Sequence, residues 1–216
     1  MNLNDIKKKS TGPQYTPEEG VQLAIITQVV GLGLQDGGTW QGEKKPDQKM
    51  VRFTYELVND VHDFGGEQKP LVISEEFALS GNEKSRCYKR ANGIDPGLKA
   101  SKGDITKFVG KPVMVQIIHK PGTGKHEGKV FANIGGVTPI PKGMPVPQGT
   151  FNPQFSYDPY NHDEEAFQQL PDFLKEKIIQ RLDATRIARP SLKDQVDDTA
   201  DELAPAEAET TGDDDW

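Results

Sequence analysis

The sequence predicts a mainly β protein: three strands, one helix, two more strands, then a C-terminal helix and a disordered acidic tail. Three observations carry this. Val51, Phe53, Tyr55 and Leu57 alternate with Arg52, Thr54 and Glu56, a period of two that turns one strand face inward and the other to water. Breakers are abundant, with 22 Gly and 16 Pro in 216 residues and an apolar content of only 34%. That composition suits a compact β domain with long loops and unstructured ends. Charge is also divided along the chain: ten acidic residues and no basic one follow Lys193.

The elements follow in order. Residues 1–19 read as a flexible N-terminal arm, with Lys7, Lys8 and Lys9 ahead of Gly12, Pro13 and Pro17. Val21, Leu23, Ile25, Val29 and Val30 form a first strand, ended by Gly31 and Gly33. Residues 37–48 are a polar loop, 51–57 the second strand, 60–70 a turn-rich loop and 71–79 the third strand. Residues 83–92 predict a short helix, with Ser80 or Asn82 as its N-cap and Gly93 as its stop. A helical turn at 104–109 precedes a fourth strand opened by Val113, Val115 and Ile117. The chain reverses over 121–128, and 130–137 is the fifth strand.

Five strands with a helix between the third and fourth is the order of an OB-fold barrel. Residues 20–138 are accordingly assigned as a five-stranded OB-fold barrel with one inserted helix. Residues 139–162 form a Pro-rich connection and 163–189 a C-terminal helical segment, with helices at 163–169 and 171–187 broken near Leu170 by Pro171. Leu174, Ile178 and Leu182 make one apolar stripe, which packs on its own domain or joins a second copy in a homodimer. Residues 190–216 are the disordered acidic tail.

The whole chain has 26 Lys and Arg against 33 Asp and Glu, a formal charge of −7. Without the ten tail acids the body has 26 against 23, about +3. A basic body joined to an acidic tail points to a body that meets nucleic acid and a tail that competes with it. The tail ends in Asp213, Asp214, Asp215 and Trp216. An indole at the tip has no use in a merely solubilising tail and suits docking into a partner's pocket. Cys87 is the only cysteine, so no intramolecular disulfide forms and a reducing compartment is expected. No signal peptide and no apolar run of about 20 residues is present, so the chain is expected to be cytoplasmic, with no membrane partner.

Single-strand binders need cations for phosphates and exposed aromatic faces for bases. The loop after the first strand offers Trp40, Lys44, Lys45 and Lys49, and a Trp set among glycines and lysines is poorly placed to be core. Arg52 lies on the strand face opposite Phe53 and Tyr55, so it is a contact while they are core. The helix carries Lys84, Arg86, Tyr88, Lys89 and Arg90; these are a contact surface or a solvated face, and both readings stand. Lys120, Lys125 and Lys129 surround the turn between the last two strands, beside His119 and His126. Phe131 is there a second stacking platform or a core residue. In an OB-fold these two loops flank the cleft, so DNA is expected across the face between them.

Two motifs mislead. Gly122-Thr123-Gly124-Lys125 resembles part of a phosphate loop, but His119 and His126 occupy positions that the full pattern gives to Gly and Ser or Thr. His62, His119, His126 and His162 are scattered, without zinc spacing. The acids Asp60, Asp63 and Asp163 to Glu165 stand in a loop and at a helix start, where capping accounts for them. No catalytic site, metal or cofactor is expected.

Several runs together resemble the single-stranded-DNA-binding proteins of tailed phages. These are residues 31–34, 40–46 (Trp-Gln-Gly-Glu-Lys-Lys-Pro), 53–57 (Phe-Thr-Tyr-Glu-Leu), 74–77, 109–112 and 170–174. The likeness covers most of residues 20–185. The tail is similar in design to those of bacterial and phage single-strand binders, although those usually end in Phe and here Trp216 stands. The chain also lacks their long Gly/Gln-rich linker. The resemblance implies coating of transient single-stranded DNA in replication, recombination and repair. It also implies tail-mediated recruitment of replication proteins such as DNA polymerase. The alternatives are a protein–protein hub without DNA binding and a strand-annealing recombinase.

Overall fold

The computed structural model describes residues 15–146 and 149–183. The acidic tail, including Asp213, Asp214, Asp215 and Trp216, lies outside the described residues, as do 1–14 of the arm.

The fold is mainly β. Its principal strands are β1 (Gly20–Gln35), β4 (Gln48–Asp63), β5 (Gln68–Ala78), β6 (Pro112–Pro121) and β7 (Val130–Pro139). A small hairpin, β2 (Thr39–Trp40) and β3 (Glu43–Lys44), stands between the first two. Three short elements follow the sheet: β8 (Phe155–Tyr157), α2 (Glu164–Gln168) and α3 (Asp172–Ile179). The sheet order is β5-β4-β1-β6-β7, antiparallel throughout, with β8 added in parallel to β1. Among the described residues no ladder joins β5 to β7, so the sheet is open. The helix α1 (Arg86–Ile94) spans that opening.

β1 runs through both glycines expected to end it. Register shifts at Ile26/Gln28 and Gly31/Gly33 show bulges, and a bulge bends a strand without ending it. Gly33 takes a φ of 72°, the left-handed region that favours glycine. The bulges also explain why β1 lacks clean alternation. Ala24, Ile26 and Val29 enter the main core, while Val30 and Leu32 enter a second cluster.

The main core centres on Phe53, fully buried and edge-on to Phe77 and Phe108 at 5.1 and 6.2 Å. Tyr55 is also fully buried, so both aromatics fall where alternation places them. α1 closes this core with Cys87, Ala91 and Ile94. Its boundaries differ from the sequence reading. Ser85 is the N-cap, accepting a hydrogen bond from the Tyr88 N–H at 3.0 Å, while Ser80 and Asn82 shape the preceding turn. Gly93 lies inside the helix and does not stop it; a β-carbon there would overlap the Val137 carbonyl oxygen of β7. The glycine is needed for close approach of helix to strand.

The second cluster lies on the other side of β1. Val30 and Leu32 pack against Tyr157, Leu170, Leu174 and Ile178. The apolar stripe on α3 thus packs on its own chain through Leu174 and Ile178. The helix ends at Ile179, short of the expected Ile187, and Leu182 is 51% exposed. The Leu182 N–H donates to the Leu34 carbonyl at 2.9 Å, so the chain leaves the helical path to meet β1. Residues 184–187 lie outside the described residues.

The C-terminal segment also covers the outer face of β4. Thr54 and Glu56, placed in water by alternation, are 7% and 3% exposed. The Glu56 carboxylate accepts from the Phe151 N–H (2.9 Å), the Asn152 N–H (2.7 Å) and the Asn152 side-chain amide (2.7 Å). On β5, Glu76 accepts from Arg52 at 3.0 Å and from Lys177 of α3. Burial alone would raise the Glu76 carboxyl, but these cationic donors outweigh it and hold it below its ordinary 4.5. A folded value below the unfolded one stabilises at neutral pH, and that contribution disappears as pH falls through the folded value. Wild type is therefore expected to exceed Glu76→Gln in stability by about 1 kcal/mol at pH 7, a figure kept small because the pair is partly exposed. Denaturant melts at pH 7 and in acid check this. The gap closes in acid; a gap that persists there contradicts the assignment.

Candidate nucleic-acid interface

The residues singled out for DNA contact fall into three groups. The first is the β2–β3 hairpin. Thr39 pairs with Lys44 and Trp40 with Glu43 through the backbone, around a two-residue turn in which Gln41 and Gly42 have φ values of 51° and 86°. Two positive φ values define a type I′ turn, whose twist matches the flanking strands. Gln-Gly is not the usual signal for it, which is why the sequence read as loop. Lys44, Lys45 and Lys49 are exposed, and the Lys45 N–H donates to the Gly38 carbonyl at 2.8 Å. The Trp40 side chain lies outside what is described.

The second group is the β6–β7 hairpin end. Lys120 and Phe131 are direct cross-strand partners, so their side chains share one face. Phe131 is 44% exposed and meets the His126 ring edge-on at 5.7 Å, which settles it as a surface residue. Lys120, Lys125 and Lys129 are exposed around it. The turn is built tightly: the Gly122 N–H donates to the Lys129 carbonyl at 2.7 Å, and a β-carbon on Gly122 would press on the Phe131 ring at 2.9 Å. His119 is otherwise engaged, its ring nitrogen 2.8 Å from the Pro17 carbonyl oxygen.

The third group, on α1, divides. Arg86 and Lys89 are exposed, and Tyr88 is half-buried at the capped end. Arg86 Nε lies 3.7 Å from the Glu75 carboxylate. Arg90 is buried and belongs to the fold. Its Nε donates to Glu75 at 2.6 Å, and its remaining nitrogens donate to the Ile134 and Gly135 carbonyls at 2.7 and 3.3 Å. Gly135 is the unpaired residue of the bulge in β7, so Arg90 anchors α1 to the strand at its bulge. The Tyr55 hydroxyl donates to the same Glu75 oxygen at 3.2 Å. Burial, then the Glu75 charge, push that hydroxyl well above the ordinary tyrosine value.

Arg52 is paired with Glu76 at 3.0 Å, and its guanidinium carbon sits 5.4 Å from the Phe173 ring centroid. Residues 151 and 152 and Lys177 of α3 lie over this face, bonded to Glu56 of β4 and Glu76 of β5. The register also separates the two hairpins. Gly20 pairs with Ile117 and Gln35 with Gln48, placing the β6–β7 turn and the β2–β3 hairpin at opposite ends of β1. Sixteen residues span roughly 50 Å of strand at ~3.3 Å each, less where the bulges bend it.

Sequence reasoning missed Tyr160. It is 39% exposed, and Lys49 Nζ lies 4.3 Å from its ring centroid. Burial, and then a hydrogen bond to Asp183, push its hydroxyl up to about 12, so it remains a donor at neutral pH.

Among the described residues no group of three or more His, Cys, Asp or Glu side chains is placed to hold a metal. No helix among them is long and apolar enough to cross a membrane. No protein-family model, curated protein or solved structure matches the chain, so the phage resemblance rests on the sequence patterns alone.

Proposed function

We propose that the chain is a non-catalytic, sequence-independent single-stranded-DNA-binding protein of the phage type, acting in DNA replication, recombination and repair. The observation that carries this is the β6–β7 hairpin end, where an exposed aromatic and an exposed lysine stand opposite each other with two further lysines around the turn. That combination offers a base a flat apolar face and its phosphate a cation. The sheet order supports the reading. Numbered by chain order, the five long strands run third, second, first, fourth, fifth, with the helix inserted between third and fourth. The OB architecture is a partly open five-stranded barrel, and an open sheet whose five long strands take this order, with one inserted helix, is consistent with it. The acidic tail competes with DNA for the basic loops and, once displaced, recruits replication proteins such as DNA polymerase through Trp216.

Phe131→Ala is the direct test. A stacked base contributes about 1–3 kcal/mol, so binding to labelled oligo-dT should weaken by about 5- to 150-fold, with the salt slope unchanged because no phosphate contact is lost. Unaltered affinity removes Phe131 from the interface. One observation favours the protein–protein hub as a second reading. A groove of about 820 Å³ where β1 and β4 diverge is lined by Glu18, Glu19 and Asp60, and one Asp60 oxygen is buried without a hydrogen-bond partner. A hub would show no retention of single-stranded DNA at low salt.

A further inference from the structure

We propose that the cavity at the root of the β2–β3 hairpin is a pocket for one nucleobase of a bound strand. Tyr160 forms one wall, and Lys49 at the mouth meets the neighbouring phosphate. This rests on the single-stranded-DNA reading and deepens it. Five segments far apart in sequence build the cavity: β1, the start of β4, Leu79 just after β5, the turn at 103–106 and residues 157–160. Its volume is about 290 Å³, at the small end of ligand sites, so it suits a single ring system and not a large cofactor. Val29, Met50, Leu79 and Ile105 supply apolar walls.

Tyr160 is fixed in place at both ends. Its N–H donates to Asp158 at 2.9 Å and its hydroxyl to Asp183 at 2.7 Å. A held aromatic that is nonetheless 39% exposed loses little freedom on binding, which is what makes a preorganised stacking surface effective. The carboxylates at the rim have partners of their own. Asp104 accepts from the Thr106 N–H at 3.0 Å and its hydroxyl at 2.6 Å, and Asp158 holds Tyr160. Lys49 is the exposed cation at the mouth, one strand-end from Lys44. Apolar walls, an aromatic face and a cation at the entrance fit an uncharged planar base with an anionic link on either side. An isolated anion would need the charge inside.

The test compares the full chain's affinity for oligo-dT with that for an oligonucleotide of equal length containing abasic residues, which keeps the phosphates and removes the bases. Tyr160→Ala should lower the ratio of the two affinities by about 5-fold or more, because the lost term is base stacking. The salt slope should stay as it was, since the Lys49 charge is retained although its ring contact is lost. Tyr160→Phe keeps the ring but loses the Asp183 bond, so it should lower the ratio less than Tyr160→Ala does. Leu79→Trp fills the cavity from a position that is 48% exposed, so it leaves the fold intact and should lower the ratio too. Strand binding with an unchanged ratio in both Tyr160→Ala and Leu79→Trp overturns the pocket alone. No binding of either oligonucleotide by the full chain overturns the pocket together with the function it rests on.

Discussion

Replacing Arg90 with Ala destabilises the fold by about 3–5 kcal/mol, the cost of leaving one member of a buried ion pair without its partner. The expectation follows from where the side chain sits. Arg90 and Glu75 side chains are 8% and 6% exposed, and their 2.6 Å contact ties α1 to β5. The other arms of the guanidinium tie α1 to β7 through the Ile134 and Gly135 carbonyls. One side chain therefore fastens β5 and β7, which no ladder joins among the described residues. Arg90→Lys keeps the charge but not the planar fork, and should recover only part of the loss. The double change Arg90→Met with Glu75→Met should be milder than either single truncation, because no unpaired charge remains. Denaturant melts of these three variants beside wild type form the check. An Arg90→Ala protein within about 1 kcal/mol of wild type would mean that the bridge contributes little beyond an exposed pair.

The second large effect is on binding. Lys120, Lys125 and Lys129, changed together to Ala, should weaken oligo-dT binding by about 100-fold at 0.1 M salt. Each phosphate contact on a single strand adds about −0.7 to the log–log salt slope, so the variant's slope should be shallower by about 2. Stability should hardly change, since all three side chains are exposed. A weaker affinity with an unchanged slope would place the loss elsewhere than at phosphates. The equivalent change at Arg52 should act through stability instead, as that residue is bound to Glu76 and Phe173.

The fold was legible wherever a local pattern had a single physical meaning. The alternation over 51–57 placed Phe53 and Tyr55 in the core, and turn-forming residues marked both hairpin reversals of the long strands. It was illegible where one residue type serves two ends. Gly31 and Gly33 read as strand terminators because glycine favours turns, yet here they permit bulges. Gly93 read as a helix stop, yet it permits the close approach of α1 to Val137. The candidate site was legible in part. The exposed lysines of both hairpins lie on the surface as read, and Phe131 proved to be exposed. The pairing of Arg52 with Glu76 was not legible, because alternation reports which face a side chain takes, not what later covers that face. The cover comes from residues about 100 positions away, through Glu56 to Phe151 and Asn152 and through Glu76 to Lys177. Nothing local to Arg52 encodes it. Tyr160 was missed for the same reason: its partners are Lys49 and Asp183, distant in sequence.

The measurement closest to the central claim is fluorescence anisotropy of labelled oligo-dT against a matched duplex, from about 50 to 500 mM salt, with the full chain and a 1–193 truncation. The single strand should bind tightly, the duplex weakly, and affinity should fall as salt rises. Removing the ten tail acids should tighten single-strand binding, most at low salt where screening is weakest. Equal affinity for duplex and single strand, or no binding by either form of the chain at the lowest salt, would contradict single-strand binding as the function.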